Sequence, residues 1–228
     1  MNKRRFNNPR RNFGRGFGKR FAQKTMPNSE LIGAIQAGKA IKEANLIQAE
    51  VEYIPKNKFE DFHVSQQLLN NITSKGYATL TPIQDQAILP IIEGRDVIGI
   101  ANTGTGKTAA FLIPLVDKVY KDRTQKVIII TPTRELAAQI NEELHSFTRG
   151  MNIYSALCIG GANMNRQKND VRRNPNFVIG TPGRIKDFVK ERVLFLSQFN
   201  NVVLDEADRM VDIGFIDDIK YFISLLSK

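Results

Sequence analysis

The chain has 228 residues, 42% of them hydrophobic, with 33 Lys/Arg against 23 Asp/Glu, a formal net charge of +10 and one cysteine. That is enough apolar material for a real core, and no apolar run approaches the roughly 20 residues needed to span a bilayer. The lone Cys158 excludes an internal disulfide and any multi-cysteine metal site, the basic start has no apolar stretch behind it to act as a secretory signal, and a reducing, cytoplasmic setting fits both.

The charge is concentrated at one end. Residues 1–24 hold nine Lys/Arg and no Asp/Glu, so the remainder sums to only +1. Residues 1–28 form an Arg/Gly/Asn/Phe-rich stretch without helical or strand period, expected to be disordered. Its cations and Phe6, Phe13, Phe17 and Phe21 suit a non-specific RNA tether, while a solubilising tail remains the alternative. Residues 29–58 follow as a short amphipathic helix, weakened by Gly33 and Gly38, and a linker with Pro55.

Residues 59–228 carry the domain. A helix is expected from about Ser65 to Ser74, then a turn, then a second helix over residues 83–93 with Pro82 in its first turn. Gln84 lies early in that helix. Its amide could match the donor and acceptor of an adenine edge, though such a glutamine is usually a surface residue. The apolar run 96–100 is expected to be a strand. It leads into Ala101, Asn102, Thr103, Gly104, Thr105, Gly106, Lys107 and Thr108, and a helix is expected from Ala109. A strand handing over to a helix through glycines, a lysine and a hydroxyl is the context of a phosphate-binding loop. Lys107 would reach the outer phosphates of a nucleotide, and Thr108 would offer its hydroxyl to Mg²⁺. Ala101 stands where the general pattern has glycine.

Four further strands are expected around residues 126–131, 153–159, 177–180 and 201–204. The first delivers Pro132, Thr133 and Arg134 to its carboxyl end, where open α/β sheets bind ligands, although an ordinary salt bridge would also account for Arg134. The next ends in Gly160-Gly161, a pair that permits close approach of a nucleic-acid strand and equally suits a plain turn. Thr181, Pro182, Gly183 and Arg184 cap the helix after the third. The last delivers Asp205 and Glu206. Asp205 would hold Mg²⁺, commonly through water, and Glu206 would orient or deprotonate an attacking water. Five strand–helix alternations imply an α/β fold with a mostly parallel sheet, helices on both faces and every marked loop on one rim.

Together, ANTGTGKT, PTRELAAQI, Gly160-Gly161, TPGR and DEAD, in this order and spacing, resemble the first RecA-like domain of DEAD-box ATP-dependent RNA helicases. Ala101 is usual at its position in that family. The resemblance implies a three-layer RecA-like P-loop domain that binds ATP with Mg²⁺ and RNA. It implies Phe59 and Tyr77 as aromatic contacts for adenine and Gln84 as reader of its edge. Catalysis would fall to Glu206, Lys107 and Asp205, and the metal to Thr108 and Asp205. Pro132, Thr133, Arg134, Gly160, Gly161, Thr181, Pro182, Gly183 and Arg184 would face the RNA backbone, and Asp208 would couple the nucleotide site to a Ser-Ala-Thr motif. That motif and a second domain carrying arginine fingers lie outside residues 1–228, so a monomeric chain that binds nucleotide and turns it over poorly is expected. Leu80 replaces the family's usual proline, and Val211 and Ile213 vary the segment after DEAD. A non-catalytic RNA-binding or docking module and a DNA-directed relative are the competing readings; intact Lys107, Asp205 and Glu206 count against the first, and the DEAD spelling against the second.

Overall fold

A computed structural model describes residues 53–226 and Gly33, and the basic stretch and most of the amphipathic helix expected before the domain lie outside the described residues. After a 3₁₀ turn at Phe59–Phe62 come α1 (Gln66–Ser74), α2 (Pro82–Ile92) and α3 (Lys107–Lys121). Strands and helices then alternate as β1 (Val127–Ile130), α4 (Arg134–Phe147), β2 (Ser155–Cys158), α5 (Met164–Arg172), β3 (Phe177–Gly180) and α6 (Pro182–Lys190). A 3₁₀ turn at Leu196–Gln198 leads to β4 (Asn201–Leu204), α7 (Ala207–Asp212) and α8 (Ile216–Leu225).

The four strands are parallel in the order β2-β3-β1-β4. The central strands β1 and β3 are buried at every position, as the middle of a parallel sheet covered on both faces requires, while the outer strands β2 and β4 are only partly buried. Alternation sends Val127, Ile129, Phe177 and Ile179 into a core shared with Leu68, Ile88, Leu112, Ile140 and Phe147. It sends Ile128, Ile130 and Val178 the other way, against Ile185, Phe188, Met210 and Phe222. The result is the expected α/β three-layer arrangement. Each fully buried Ile or Phe contributes roughly 1.5–3 kcal/mol. Packing at the sheet's centre is close: a Cβ at Gly180 would sit 2.3 Å from the Cys158 carbonyl oxygen of the paired strand, so only glycine fits where β3 ends.

The strand expected at residues 96–100 does not form, and the sheet has four strands among the described residues. Val97, Ile98 and Ile100 are 38%, 42% and 40% exposed. Apolar composition predicts a strand only where a neighbour can complete its ladder. Here β4 ends the sheet and the 96–100 run pairs with none of the four strands.

The last part of the expected linker is pinned to the domain. The carboxylate of Asp85 accepts hydrogen bonds from the Tyr53 hydroxyl (2.6 Å), the Lys56 N–H (2.8 Å), the Asn57 N–H (3.2 Å) and the Asn57 amide (2.6 Å). Burial pushes the Asp85 carboxyl up, and these donors, Tyr53 first, outweigh it and hold the group below the usual carboxylate range. The depressed value makes the contribution to stability complete above the unfolded pKa, near 3.8, and lost as pH falls through the folded value. The Lys56 and Asn57 amides should therefore stay protected from hydrogen exchange above pH 4 and lose protection under more acidic conditions. Asp85→Asn should weaken that protection at neutral pH by about 1–2 kcal/mol, since an amide oxygen replaces only part of the acceptor set. Unchanged exchange in the variant would contradict the assignment.

Candidate nucleotide and nucleic-acid site

The loop between residues 101 and 106 turns through Gly104 and Gly106, at φ +84° and +87°, the left-handed region that side chains rarely adopt. Gly106 is the N-cap of α3, so the helix opens directly at Lys107 and Thr108. The Lys107 ammonium folds back across the loop and donates to the Ala101 carbonyl at 2.7 Å, and the Thr105 hydroxyl donates to the Asn102 carbonyl, also at 2.7 Å. Beneath the loop, Gln84 is fully buried. Its Oε1 accepts the Thr81 N–H (3.0 Å), and its Nε2 donates to the Gly106 carbonyl (3.2 Å). The amide expected to read a base therefore also ties the start of α2 to the exit of the loop, using one of its two N–H donors and one of its two lone pairs.

Across the cleft, β1 positions the acidic pair: the Asp205 N–H donates to the Ile130 carbonyl at 3.0 Å, continuing the ladder one residue beyond β4. Asp205 is buried, and its carboxylate accepts the Glu206 N–H at 3.1 Å. Burial raises its pKa above the ordinary carboxylate value, and the facing Lys107 charge opposes that shift. Glu206 adopts φ +51°, ψ +47° as the N-cap of α7, a left-handed conformation that costs a non-glycine residue on the order of 1–3 kcal/mol. Its carboxylate accepts from Arg209 at 3.2 Å. Asp208, in the first turn of α7, accepts the Arg209 N–H at 3.0 Å.

Lys107, Thr108, Asp205 and Glu206 line one cleft of about 310 Å³, together with Thr103, Gly104 and Gly106. Residues a hundred positions apart meet because the start of α3 and the carboxyl end of β4 face the same cleft. Thr108 and Asp205 present oxygen donors, the chemistry a hard cation such as Mg²⁺ selects. No cluster of three or more His, Cys, Asp or Glu side chains occurs among the described residues, so a metal there would draw its remaining ligands from nucleotide and water.

The far wall is formed by Tyr77 with Gln139 and Glu143 of α4. The Tyr77 hydroxyl donates to Glu143 at 2.8 Å, and Lys75 pairs with the same carboxylate. Burial, then the Glu143 bond, raises the Tyr77 pKa well beyond its ordinary value. Phe59 is only 4% exposed and meets Tyr77 edge-on at 6.1 Å, so it backs the cleft wall instead of facing the cleft. Sequence reading passed over Gln139 and Glu143. Their helical spacing with Leu136 and Ile140, which also line the cleft, is the signal that marks one face of α4.

The remaining rim residues form a second group. The Arg134 guanidinium lies against the glycine pair: a Cβ at Gly160 would come within 2.9 Å of its Nη2, and one at Gly161 within 2.3 Å of its Nη1. Gly161 also has φ +76°. The Thr133 hydroxyl caps α4 by accepting the Leu136 N–H at 3.2 Å, while Pro132 is buried behind it. Thr181 donates its N–H to the Cys158 carbonyl (3.0 Å), Pro182 is buried at the start of α6, and Gly183 is exposed with open space beside it. Arg184 stands over the Phe188 ring at 5.6 Å.

Comparison with known proteins agrees with this geometry. The family model described as DEAD/DEAH box helicase matches residues 81–228. A DEAD-box ATP-dependent RNA helicase CshA of Bacillus subtilis is 44% identical over 167 residues, covering 73% of this chain and 34% of the relative. An ATP-dependent RNA helicase CshA of Listeria monocytogenes is 42% identical over 164 residues, covering 72% and 32%. The chain therefore spans about a third of the length of these curated relatives. The crystal structure of a hypothetical ATP-dependent RNA helicase from Sulfolobus tokodaii superposes with a TM-score of 0.66 at 34% identity, covering 72% of this chain and 49% of that one.

Proposed function

The chain belongs to the DEAD/DEAH box helicase family, and from that premise we propose that it supplies the ATP-binding part of an ATP-dependent RNA helicase. The observation that carries this reading is the convergence of Lys107 and Thr108 with Asp205 and Glu206 on one cleft. Backbone N–H groups of residues 101–106 and the α3 N-terminus receive the phosphates, and Lys107 moves from the Ala101 carbonyl to the outer phosphate oxygens. Thr108 and Asp205 would hold Mg²⁺, which would supply charge neutralisation at the transferring phosphoryl group. Glu206 leaves Arg209 to orient the attacking water and accept its proton. Tyr77 borders the adenine end, with Phe59 fixing its ring and Gln84 fixing the loop.

The second group of rim residues, from Pro132 to Arg184, grips the sugar-phosphate backbone of RNA without reading bases. The basic residues 1–24 add a sequence-independent tether, and Asp208 couples the site to further parts of the helicase. The active protein works as a monomer in the cytoplasm and draws an arginine finger from a second domain. Residues 1–228 alone should bind Mg·ADP weakly, hydrolyse ATP near background and fail to separate a short RNA duplex. A strand-displacement assay checks this, and unwinding by this chain alone would refute the division of labour. Loss of ADP binding on Lys107 substitution, treated below, tests the cleft itself.

A further inference from the structure

Gln167 is buried, at 6% exposure, in α5, a helix that is otherwise largely polar. Its Oε1 accepts the Ile159 N–H at 3.1 Å, and its Nε2 donates to the carbonyl of the same residue at 3.0 Å. The same Oε1 accepts from Nη1 of Arg184 at 3.0 Å. Ile159 is the residue before Gly160-Gly161, and Arg184 ends the Thr181–Arg184 segment. One amide therefore ties two loops together. A side-chain amide can donate to the carbonyl and accept from the N–H of one residue while keeping a lone pair for a guanidinium. The start of α5 is itself fixed just beyond the glycines, because Asn163 caps it by accepting the Arg166 N–H at 3.0 Å.

We propose that Gln167 is a positioning residue for RNA: without touching the nucleic acid, it locks the Gly160–Gly161 turn and the Arg184 guanidinium into one rigid register. Arg134, packed on the two glycines, is held by the same frame. A loop free to shift would leave these groups to be ordered on binding, at the expense of affinity. This role rests on the RNA reading of that rim given above.

The test uses the whole chain and a single-stranded oligoribonucleotide, read by fluorescence anisotropy, with Mg·ADP binding as the second readout. Gln167→Leu keeps the volume and loses all three hydrogen bonds. RNA affinity should fall about tenfold and the salt slope by about one, as expected for loss of one held phosphate contact, while Mg·ADP affinity stays within about twofold. Gln167→Glu retains the acceptor for Ile159 N–H and Arg184 but not the donor, and should recover part of the RNA affinity. The basic tail is common to all variants, so differences between them isolate the loops. Unchanged RNA affinity in a folded Leu variant overturns the role, and so does an equal fall in RNA and ADP affinity, which would mark a general structural defect. Should the Leu variant not fold, the Glu variant decides by the same two readouts. A parent chain that binds Mg·ADP but no RNA overturns the RNA reading itself, and this role with it, before any substitution is made.

Discussion

Replacing Lys107 with alanine is expected to weaken Mg·ADP binding by about a hundredfold or more. Among the described residues the ammonium is hydrogen-bonded to the Ala101 carbonyl of its own loop and faces the buried Asp205 carboxylate. On nucleotide binding it would exchange that carbonyl for phosphate oxygens. Each charge-assisted bond contributes roughly 1.5–3 kcal/mol, and two of them exceed the 2.8 kcal/mol that corresponds to a hundredfold change. The fold should barely respond, because Lys107 is half-buried at a helix start and packs in neither core. Asp205 should respond, since removing the facing cation leaves burial to raise its pKa further. Titration with a fluorescent ADP analogue measures the effect, and a change below threefold would mean that this loop does not receive the phosphates. Lys190→Ala, at the exposed end of α6, serves as the matched loss of charge and should leave binding unchanged.

Phe147→Ala should cost about 3–5 kcal/mol of stability, the range for emptying a fully buried aromatic site. Against the 5–15 kcal/mol typical of a whole domain, much of the margin would go. The Phe147 ring has no exposed surface, lies 5.7 Å from the Tyr77 ring and carries the Lys75 ammonium 5.0 Å from its centroid. The cavity would therefore open directly behind the wall formed by Tyr77, Glu143 and Lys75, and nucleotide affinity should fall with stability. Urea unfolding gives the first quantity and ADP titration of the folded fraction the second. Phe195→Ala, half-exposed, should change stability by no more than about 0.5 kcal/mol. A loss below 1 kcal/mol at Phe147 would contradict its place in the core.

The motifs and most of the elements were legible because each reports a local constraint. Apolar runs bounded by turn residues located β1 to β4 within one or two residues, proline at the first turn located α2, and the Thr181–Arg184 cap located α6. The 96–100 run was misread for the same reason: its composition is that of a strand, but a ladder is a property of two chains of residues. Gln84 shows a second limit. Its amide has the chemistry to read adenine, and only the structure shows that Thr81 and Gly106 each take one of its four hydrogen-bonding sites beneath the loop. Phe59 shows a third, an aromatic whose neighbours turn it into the core.

Composition, periodicity and motif order by themselves determined that this chain is an α/β domain with a glycine-rich ANTGTGKT loop and a DEAD sequence, because those signals lie within stretches of about ten residues. Only the tertiary structure decided which side chains share a cleft, that Asp205 is buried opposite Lys107, that Tyr77, Gln139 and Glu143 form its far wall, and that Gln167 joins two loops. The physical reason is that hydrogen bonds and burial are settled between residues tens of positions apart, where the sheet's order of strands, and not the order of the chain, sets the distance.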